Sequence, residues 1–345
     1  MPWRRSSWVT RGGSVGLRPR VSIVIPAYNG SDYMKEAIDS ALAQTYPDVE
    51  VLVVNDGSDD DGRTEAIALS YGDRIRYFRK GNGGVASALN RGIREMRAEY
   101  FSWLSHDDVY LPRKVEREVA VLEKFGKDAV VYSDYEVIDA SSRHVEVFRA
   151  GRLSAEQFRM LLVTDVPVNG CTVLIPRRCF EQVGLFDERL KVAQDYDLWF
   201  RMARRYPFVH VPEVLLRSRT HAGQGTRRMT STCLAEGNAN FTQWLDEIAL
   251  DQFPSPDPVL TRFFLRAAVR LKRRGYITAA EHALQLYRRS AMTGVLPEHL
   301  LRRLSDNYFA VCDRPWATFF PRVVRALFDT ENLGTKVRRR LRREA

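Results

Sequence analysis

The stretch Val-Ser-Ile-Val-Ile-Pro-Ala-Tyr-Asn, residues 21–29, opens with a short apolar strand that we expect to stop at Pro26. It begins a regular alternation of strands and helices. Helices are predicted at 32–43, 63–70 and 85–96, and strands are predicted at 49–54, 75–78 and 100–103. Strands that alternate with helices of about ten residues indicate a parallel, doubly wound α/β sheet.

Polar side chains follow three of the predicted strands. Tyr28 comes after the first strand, Asp56 after the second, and Asp107 and Asp108 after the strand at 100–103. In open parallel sheets, ligands bind beyond the carboxyl ends of the strands. We therefore expect these side chains to meet in one crevice.

The segment Leu-Ser-His-Asp-Asp at 104–108 places two carboxylates side by side. Adjacent carboxylates repel each other unless a cation or a hydrogen-bonded partner lies between them. A divalent metal that carries a diphosphate is one solution, because hard cations take oxygen ligands and leave room for substrate phosphates. An ordinary turn is the alternative interpretation, since Asp is common in turns.

The alternation of strands and helices ends in the second half of the chain. Further strands are predicted at 129–137 and 168–175, and further helices at 176–183 and 194–205. Past Gly225 the pattern is helical only, with breaks near Pro254, Pro256, Pro258, Gly275, Pro297 and Pro315. We therefore predict a flexible lead-in at 1–20, an α/β domain at 21–228 and a basic helical region at 229–345.

The net charge of +10 is concentrated at the end of the 345-residue chain. Residues 261–345 carry a net charge of +12, and the preceding 260 residues carry −2. This asymmetry suggests an anionic partner, such as a membrane surface, a nucleic acid or an acidic polymer. A solvated helical face is the alternative.

The cysteine pattern and the hydropathy both favour a cytoplasmic protein. The four cysteines are scattered and form no Cys-x-x-Cys pair, which argues against a zinc site or a disulfide framework. No apolar run approaches the roughly 20 residues that span a bilayer. The first residues lack the apolar core of a signal peptide, so we expect cytoplasmic residence.

Six motifs occur in a fixed order along the chain. They are Val-Ser-Ile-Val-Ile-Pro-Ala-Tyr-Asn (21–29), Val-Val-Asn-Asp-Gly-Ser-Asp-Asp (53–60), Asn-Gly-Gly-Val-Ala-Ser-Ala-Leu-Asn-Arg-Gly (82–92), Ser-His-Asp-Asp (105–108), Gln-Asp-Tyr-Asp-Leu-Trp (194–199) and His-Ala-Gly-Gln (221–224). Together they resemble the family 2 glycosyltransferases of the GT-A fold. The resemblance implies a GT-A-type nucleotide-diphospho-sugar transferase domain over 21–228, with a mostly parallel doubly wound sheet and a C-terminal helical region.

The resemblance also implies a reaction and a set of donor contacts. A sugar would move from a nucleotide-diphosphate donor to an acceptor hydroxyl, with inversion at the anomeric carbon. The implied donor-binding residues are Pro26, Ala27, Tyr28, Asp56, Asn82, Gly83, Asn90, Ser105, His106 and Asp107. Tyr28 would offer a ring face to the nucleobase, and Asp56 would accept a hydrogen bond from the base or the ribose. A packed tyrosine and a turn aspartate are the alternatives.

The metal, the base and the acceptor contacts are implied in the same way. Asp107 would hold Mn²⁺ or Mg²⁺ on the diphosphate, with His221 as a second ligand that favours Mn²⁺ unless it is structural. Asp195 would be the general base, and a helix N-cap is its alternative role. Asp197 and Trp199 would lie at the acceptor, although Asp197 also suits a structural role and Trp199 also suits simple packing.

Two departures from the family pattern open a second hypothesis. Ser105 stands where many relatives carry Asp, and Leu89 stands where Arg often precedes Asn90. A catalytically impaired nucleotide-sugar binding module or scaffold is therefore the alternative function. A nucleotidyltransferase would need a Gly-rich basic signature after the first strand, which is missing. A nucleic-acid binder would need aromatic residues among its basic ones, so no nucleic-acid partner is expected.

The acceptor is expected to be a glycan or a lipid-linked molecule. A Gln-x-x-Arg-Trp motif and spanning helices, both associated with processive synthases, are missing from the sequence, so we expect one sugar to be added per encounter. The basic segment 336–345 is predicted to contact an anionic membrane surface, which would keep the protein peripheral at the inner membrane face.

Overall fold

The computed structural model describes residues 21–125, 128–151, 155–165, 168–224, 229–251 and 258–291. The predicted lead-in at 1–20 and the basic segment 336–345 lie outside the described residues. The chain forms two compact units. The sheet unit takes in the described residues of 1–152, 168–188 and 206–221, and the helical unit takes in those of 153–167, 189–205 and 222–345.

The sheet unit is a mixed sheet with helices on its faces. Its strands are β1 (Val21–Ala27), β2 (Val49–Asn55), β3 (Arg76–Arg79), β4 (Tyr100–Trp103), β5 (Val109–Tyr110), β6 (Val130–Ile138), β7 (His144–Phe148), β8 (Leu174–Pro176) and β9 (Phe208–Arg219). Its helices are α1 (Met34–Leu42), α2 (Arg63–Leu69), α3 (Val85–Glu95), α4 (Lys114–Phe125) and α6 (Arg177–Val183), while α5 (Ala155–Thr164) belongs to the helical unit. The strand order is β3-β2-β1-β4-β8-β6-β9-β5, with β7 paired to β6.

Strand direction brings the carboxyl ends of six strands to one edge of the sheet, among them those of β1, β2, β4 and β9. β1 pairs in parallel with β2 and β4, and β2 pairs in parallel with β3. β8 is antiparallel to both β4 and β6, so β6 and its parallel partner β9 run in the same direction as β4. The ends of β1, β2, β4 and β9 therefore face the same way. The predicted α/β class, with a mostly parallel sheet, is confirmed.

The centre of the sheet unit is closely packed. All seven residues of β1 are buried. Helix α3 crosses β1 at Gly92, where an added Cβ would lie 2.3 Å from a methyl carbon of Val24. Only a residue without a side chain fits at this contact, so Gly92 sets how closely α3 approaches the sheet.

The prediction that the first strand stops at Pro26 is wrong. β1 continues to Ala27, and Pro26 is in register with Val54 of β2. The Ala27 carbonyl accepts a hydrogen bond from Asp56 N–H on the β2 side, so Pro26 turns its nitrogen to the other side. There β4 has already ended at Trp103, opposite Val24. A missing N–H costs nothing at that position.

The predicted strand at 168–175 is only partly present. A 3₁₀ turn occupies Gly170–Thr172, and β8 starts at Leu174. The side chain of Asn169 accepts a hydrogen bond from Cys171 N–H at 2.8 Å, which holds the turn. A side chain on Gly170 would collide with the Trp103 ring, since an added Cβ would lie 2.3 Å from it. The Asn169 hydrogen bond and the close packing of Gly170 against Trp103 therefore favour a turn where an extended strand was predicted.

The long strand β9 was not predicted from the sequence. Its 12 residues include Pro212 and show neither a continuous apolar run nor a strict alternation. It forms because β6 offers it a parallel partner, with register irregularities between Ser133 and Tyr135. The strand ends at Arg219, two residues before His221.

The helical unit contains α5, α7 (Gln194–Met202), α8 (Thr230–Asp251), α9 (Pro258–Arg273) and α10 (Ile277–Ala291). The predicted apolar face of α9 is buried, including Phe263, Phe264 and Leu271. Arg270 of α9 forms an ion pair with Asp165, just after α5. Among the described residues, no helix is both long enough and apolar enough to cross a membrane.

Candidate active site

A rigid frame follows β1 in the sheet unit. Asn29 has a left-handed backbone, with φ at 48°, which Asn tolerates better than most residues. Its side-chain amide donates to Asp59 Oδ1 at 2.6 Å, and Asp59 N–H donates back to Asn29 Oδ1 at 3.0 Å. The Asn29 hydrogen bond holds the pKa of Asp59 below its usual value. Tyr28 donates to the same carboxylate at 3.3 Å and remains 43% exposed. Its role as a base contact stays a prediction, with the ring accessible.

Asp56 organises the loop that precedes α3. Its buried carboxylate accepts hydrogen bonds from Gly83 N–H at 3.1 Å and Gly84 N–H at 2.7 Å. Lys80 Nζ adds an ion pair at 2.6 Å. Asn82 and Gly83, both predicted donor contacts, lie in the loop that these bonds hold. A nucleobase contact of Asp56 stays a prediction, because the structure shows the carboxylate engaged with its own loop.

Asn90 is occupied by contacts within the sheet unit. Its amide nitrogen donates to the Phe186 carbonyl at 2.9 Å and to Glu188 Oε1 at 2.8 Å. Its oxygen accepts from Phe186 N–H at 3.0 Å. Asn90 is buried, and these hydrogen bonds hold the segment 186–188 in place. Its predicted donor contact remains untested.

Asp107 and His221 meet at the edge of the sheet. Asp107 lies in the loop after β4, and His221 follows β9. His221 Nε2 is 3.0 Å from Asp107 Oδ2, and both side chains are partly exposed. The His221 ring also packs on Tyr33, with 5.1 Å between ring centroids. The two residues predicted as metal ligands are therefore brought together.

Ser105 and His106 lie in the same loop as Asp107 and contact other parts of the sheet unit. The thiol of buried Cys171 donates to Ser105 Oγ at 3.3 Å, so the serine hydroxyl has a protein partner. The His106 ring covers Gly30, where an added Cβ would lie 2.7 Å from it. The loops after β1 and β4 thus touch, as expected for strand ends that share an edge.

Asp108 is buried, in contrast to its neighbour Asp107. Burial, followed by the nearby Asp107 carboxylate, raises the pKa of Asp108. Its Oδ1 accepts a hydrogen bond from Arg219 N–H at 2.8 Å. Asp108 is therefore buried while Asp107 remains partly exposed, which separates the environments of the adjacent carboxylates.

Asp195 lies in the first turn of α7, in the helical unit. Its Oδ1 accepts a hydrogen bond from Tyr196 N–H at 2.8 Å. Burial is the main influence on this carboxyl group and raises its pKa to about 6. The N-cap of α7 is Ala193, so the alternative role of Asp195 as the cap is not what the structure shows.

The two residues predicted at the acceptor are engaged within the helical unit. Asp197 accepts hydrogen bonds from Arg201 Nε at 2.9 Å and Nη2 at 2.6 Å. Trp199 is fully buried, which agrees with its alternative role in packing. Acceptor contact by either residue stays a prediction.

Sequence reasoning missed one residue in each unit that holds the backbone beside a predicted site residue. Glu236 of α8 accepts hydrogen bonds from three consecutive N–H groups, those of 191–193, just before α7. Arg219 donates to the Asp107 carbonyl and is itself almost fully buried. The sequence shows an arginine two residues before the predicted ligand His221, but its burial is visible only in the structure.

No cluster of three or more His, Cys, Asp or Glu side chains that could hold a metal ion occurs in the part of the chain that the structure describes. Asp107 and His221 alone would supply one oxygen and one nitrogen. A cation held there would need its other ligands from a phosphate-bearing substrate and from water.

Comparison with known proteins gives consistent matches. The family model "Glycosyl transferase family 2" matches residues 22–184. An uncharacterized glycosyltransferase of Rickettsia typhi is 46% identical over 272 residues, which cover 78% of this chain and 85% of that protein. Three other Rickettsia relatives are longer, and the chain spans only 41% to 42% of their length.

Solved structures share the fold at low sequence identity. S. aureus TarS 1–349 in complex with UDP-GlcNAc has a TM-score of 0.61 at 14% identity, covering 87% of this chain and 92% of that chain. The mannosyltransferase PcManGT from Pyrobaculum calidifontis, in complex with GDP-Man and Mn²⁺, has a TM-score of 0.50 at 20% identity. It covers 91% of this chain and 88% of that chain. These similarities support the fold alone.

Proposed function

Because the chain belongs to glycosyl transferase family 2, we propose that it moves a sugar from a nucleotide-diphosphate donor to an acceptor hydroxyl, with inversion. The observation that carries the proposal is the 3.0 Å contact between Asp107 Oδ2 and His221 Nε2. These atoms lie at the carboxyl edge of the sheet, where α/β folds bind their ligands. The exposed Tyr28 ring lies after β1 at the same edge and is proposed to contact the nucleobase.

Asp107 and His221 are proposed to hold a divalent cation against the donor diphosphate. A bound cation would neutralise the charge that develops on the leaving diphosphate. Mn²⁺ is the preferred ion because His221 offers nitrogen, and Mn²⁺ is present in the PcManGT complex. Ser105, which replaces a carboxylate, leaves the protein with two ligands, so donor and metal are expected to bind together.

Asp195 is proposed to take the proton from the acceptor hydroxyl. A pKa of about 6 keeps it ionised at neutral pH while leaving it basic enough to accept a proton. Its Oδ1 accepts the hydrogen bond from Tyr196 N–H, and Oδ2 is proposed to take the proton of the acceptor hydroxyl. Inversion needs one such base, because the leaving diphosphate requires no proton from a second carboxyl group.

The acceptor is proposed to be a glycan or a lipid-linked molecule that receives one sugar per encounter. Residues 336–345 are proposed to contact an anionic membrane surface at its cytoplasmic face. Sedimentation with phosphatidylglycerol vesicles tests this contact. Deletion of 336–345 should abolish co-sedimentation, and unchanged binding would contradict the proposal.

A nucleotide-sugar panel tests the donor and metal proposals. We expect UDP-GlcNAc or GDP-Man, at about a hundredfold over Kd and with MnCl₂, to raise Tm by about 4 °C. Asp107→Asn should lose the increment that depends on Mn²⁺, while the exposed control Asp73→Asn keeps it. A wild-type shift that is independent of Mn²⁺ would refute the metal-binding role of Asp107.

Donor hydrolysis separates an enzyme from a binding module without turnover. The wild-type protein should release nucleoside diphosphate from the donor that binds best in the panel. Asp195→Asn should bind that donor as the wild type does but lower turnover by about 10²- to 10⁴-fold. Tight donor binding with no turnover by the wild type would instead support the binding module.

A further inference from the structure

Arg219 is an almost fully buried cation at the end of β9, with 1% of its surface exposed. Its guanidinium makes contacts with three separate segments. Nε donates to the Asp107 carbonyl at 2.9 Å, and Nη1 donates to Ser142 Oγ at 2.8 Å. Nη2 forms an ion pair with Glu36 of α1. One side chain therefore ties the loop after β4 to α1 and to the turn between β6 and β7.

The same guanidinium lies over the Tyr33 ring, 4.4 Å from the ring centroid. The other neighbour of that ring is His221, with 5.1 Å between the two ring centroids. Arg219 thus reaches both members of the candidate metal-binding pair. It holds the backbone of Asp107 directly, and it holds the His221 ring through Tyr33.

Burial of this charge requires a reason, because a buried cation costs free energy unless it is paired and hydrogen-bonded. Its carboxylate partner, Glu36, has a half-exposed side chain, so the ion pair is partly screened by solvent. The guanidinium also donates directed hydrogen bonds to the Asp107 carbonyl and to Ser142 Oγ. A planar fork of donors fixes several acceptors at once, which the single ammonium group of Lys does not do.

We propose that Arg219 is a positioning residue for metal binding, which holds Asp107 Oδ2 and His221 Nε2 at 3.0 Å before any cation arrives. The inference rests on the proposed function of this pair. Within the described residues the proposed site has two side-chain ligands, so its affinity depends on how well these two are positioned before the metal binds. Partners that orient metal ligands commonly change metal affinity by about 10- to 100-fold when they are mutated.

The test is a binding measurement that needs no turnover. Binding of Mn²⁺ is followed by the loss of its free-ion EPR signal, with UDP and with GDP as probes, and nucleotide affinity is measured separately without metal. Arg219→Lys should raise the Mn²⁺ dissociation constant by about tenfold or more. The affinity for the nucleotide alone should stay within about twofold, because the contacts that carry the proposal join the guanidinium to Asp107 and to the Tyr33 ring.

Two further variants separate positioning from simple loss of stability. Lys114→Met removes another fully buried cation of the sheet unit, which contacts Glu118, Ser102 and the Tyr110 ring rather than Asp107 or His221. It should lower stability in urea and leave the Mn²⁺ dissociation constant unchanged. Tyr33→Leu removes the ring between Arg219 and His221 and should raise that constant severalfold. If the Arg219 variant does not fold, Tyr33→Leu provides the test instead.

The outcomes distinguish the inference from the proposed function. A wild-type protein that binds Mn²⁺ with nucleotide, together with unchanged constants in Arg219→Lys and Tyr33→Leu, overturns the inference alone. An equal loss of metal-free nucleotide affinity also overturns it, because a merely structural role would produce that result. A wild-type protein that binds no Mn²⁺ removes the metal-binding pair and the inference together.

Discussion

Replacing Asp195 with Asn is expected to stabilise the protein at neutral pH while it removes the proposed base. Burial raises the pKa of Asp195 from 3.8 to about 6. A difference of about two pKa units corresponds to about 3 kcal/mol, since each unit is worth about 1.4 kcal/mol. The folded protein bears this cost whenever the carboxylate is ionised. Asn carries no charge and keeps an oxygen that accepts the hydrogen bond from Tyr196 N–H.

The sign of the effect depends on pH. A carboxyl group whose pKa is raised by folding holds its proton more tightly in the folded state. Its stabilising contribution is fully present below pH 3.8 and is lost as the pH rises through about 6. Asp195→Asn does not titrate, so its gain over the wild type should be near zero below pH 3.8. The gain should grow to about 3 kcal/mol above pH 6.

Urea unfolding at a series of pH values measures this difference, because stability is obtained by extrapolation to water. Asp197→Asn is the matched control in the same helix. It removes the ion pair with Arg201, so it should lower stability by about 0.3–0.5 kcal/mol. Two results would refute the argument from burial. Asp195→Asn could be no more stable than the wild type at pH 7.5, or its gain in unfolding free energy could be the same at pH 4 and at pH 7.5. In the wild type, kcat/KM should decrease as the pH is lowered through about 6, because Asp195 becomes protonated there.

Two more predictions concern the packing of the sheet unit. Gly92→Ala would place a Cβ 2.3 Å from Val24, so it should lower the free energy of unfolding in urea by about 1–3 kcal/mol. Gly81→Ala is the control, because its added Cβ meets no atom within 4 Å, and its stability should stay within about 0.5 kcal/mol of the wild type. Equal stabilities would contradict the close contact of α3 with β1. Lys114→Met breaks a fully buried ion pair with Glu118 and should cost about 3–5 kcal/mol. Adding Glu118→Leu should recover most of that loss, and a double variant as unstable as the single one would contradict this reasoning.

Several features of the candidate site were predictable from the sequence because they depend on local order along the chain. The apolar runs and helical spacing of residues 21–103 indicated the parallel half of the sheet. Once those strands are parallel, their carboxyl ends share an edge, and Tyr28, Asp56 and Asp107 must follow there. The motif order indicated the family in the same way, since it is a property of the chain alone.

Other features depend on which strands become neighbours, and local patterns do not carry that information. His221 meets Asp107 across 114 positions because β9 pairs with β6 and so runs in the direction of β4. β9 itself has no clear strand pattern, so its existence depends on a partner. Pro26 is accommodated inside β1 only because β4 ends early beside it.

The sequence by itself determined the chemistry that is available at the sheet edge: a carboxylate after β4, an exposed tyrosine after β1 and a histidine late in the chain. Tertiary structure alone decided what each group touches. It engaged Asp56 with its own loop, and it buried Asp108 while leaving Asp107 partly exposed. It also brought Arg219 into hydrogen-bond contact with both of these neighbours, through its side chain to Asp107 and through its backbone to Asp108. The physical reason is that hydrogen-bond partners and burial depend on the packing of segments that are distant in sequence, whereas residue type and local spacing do not.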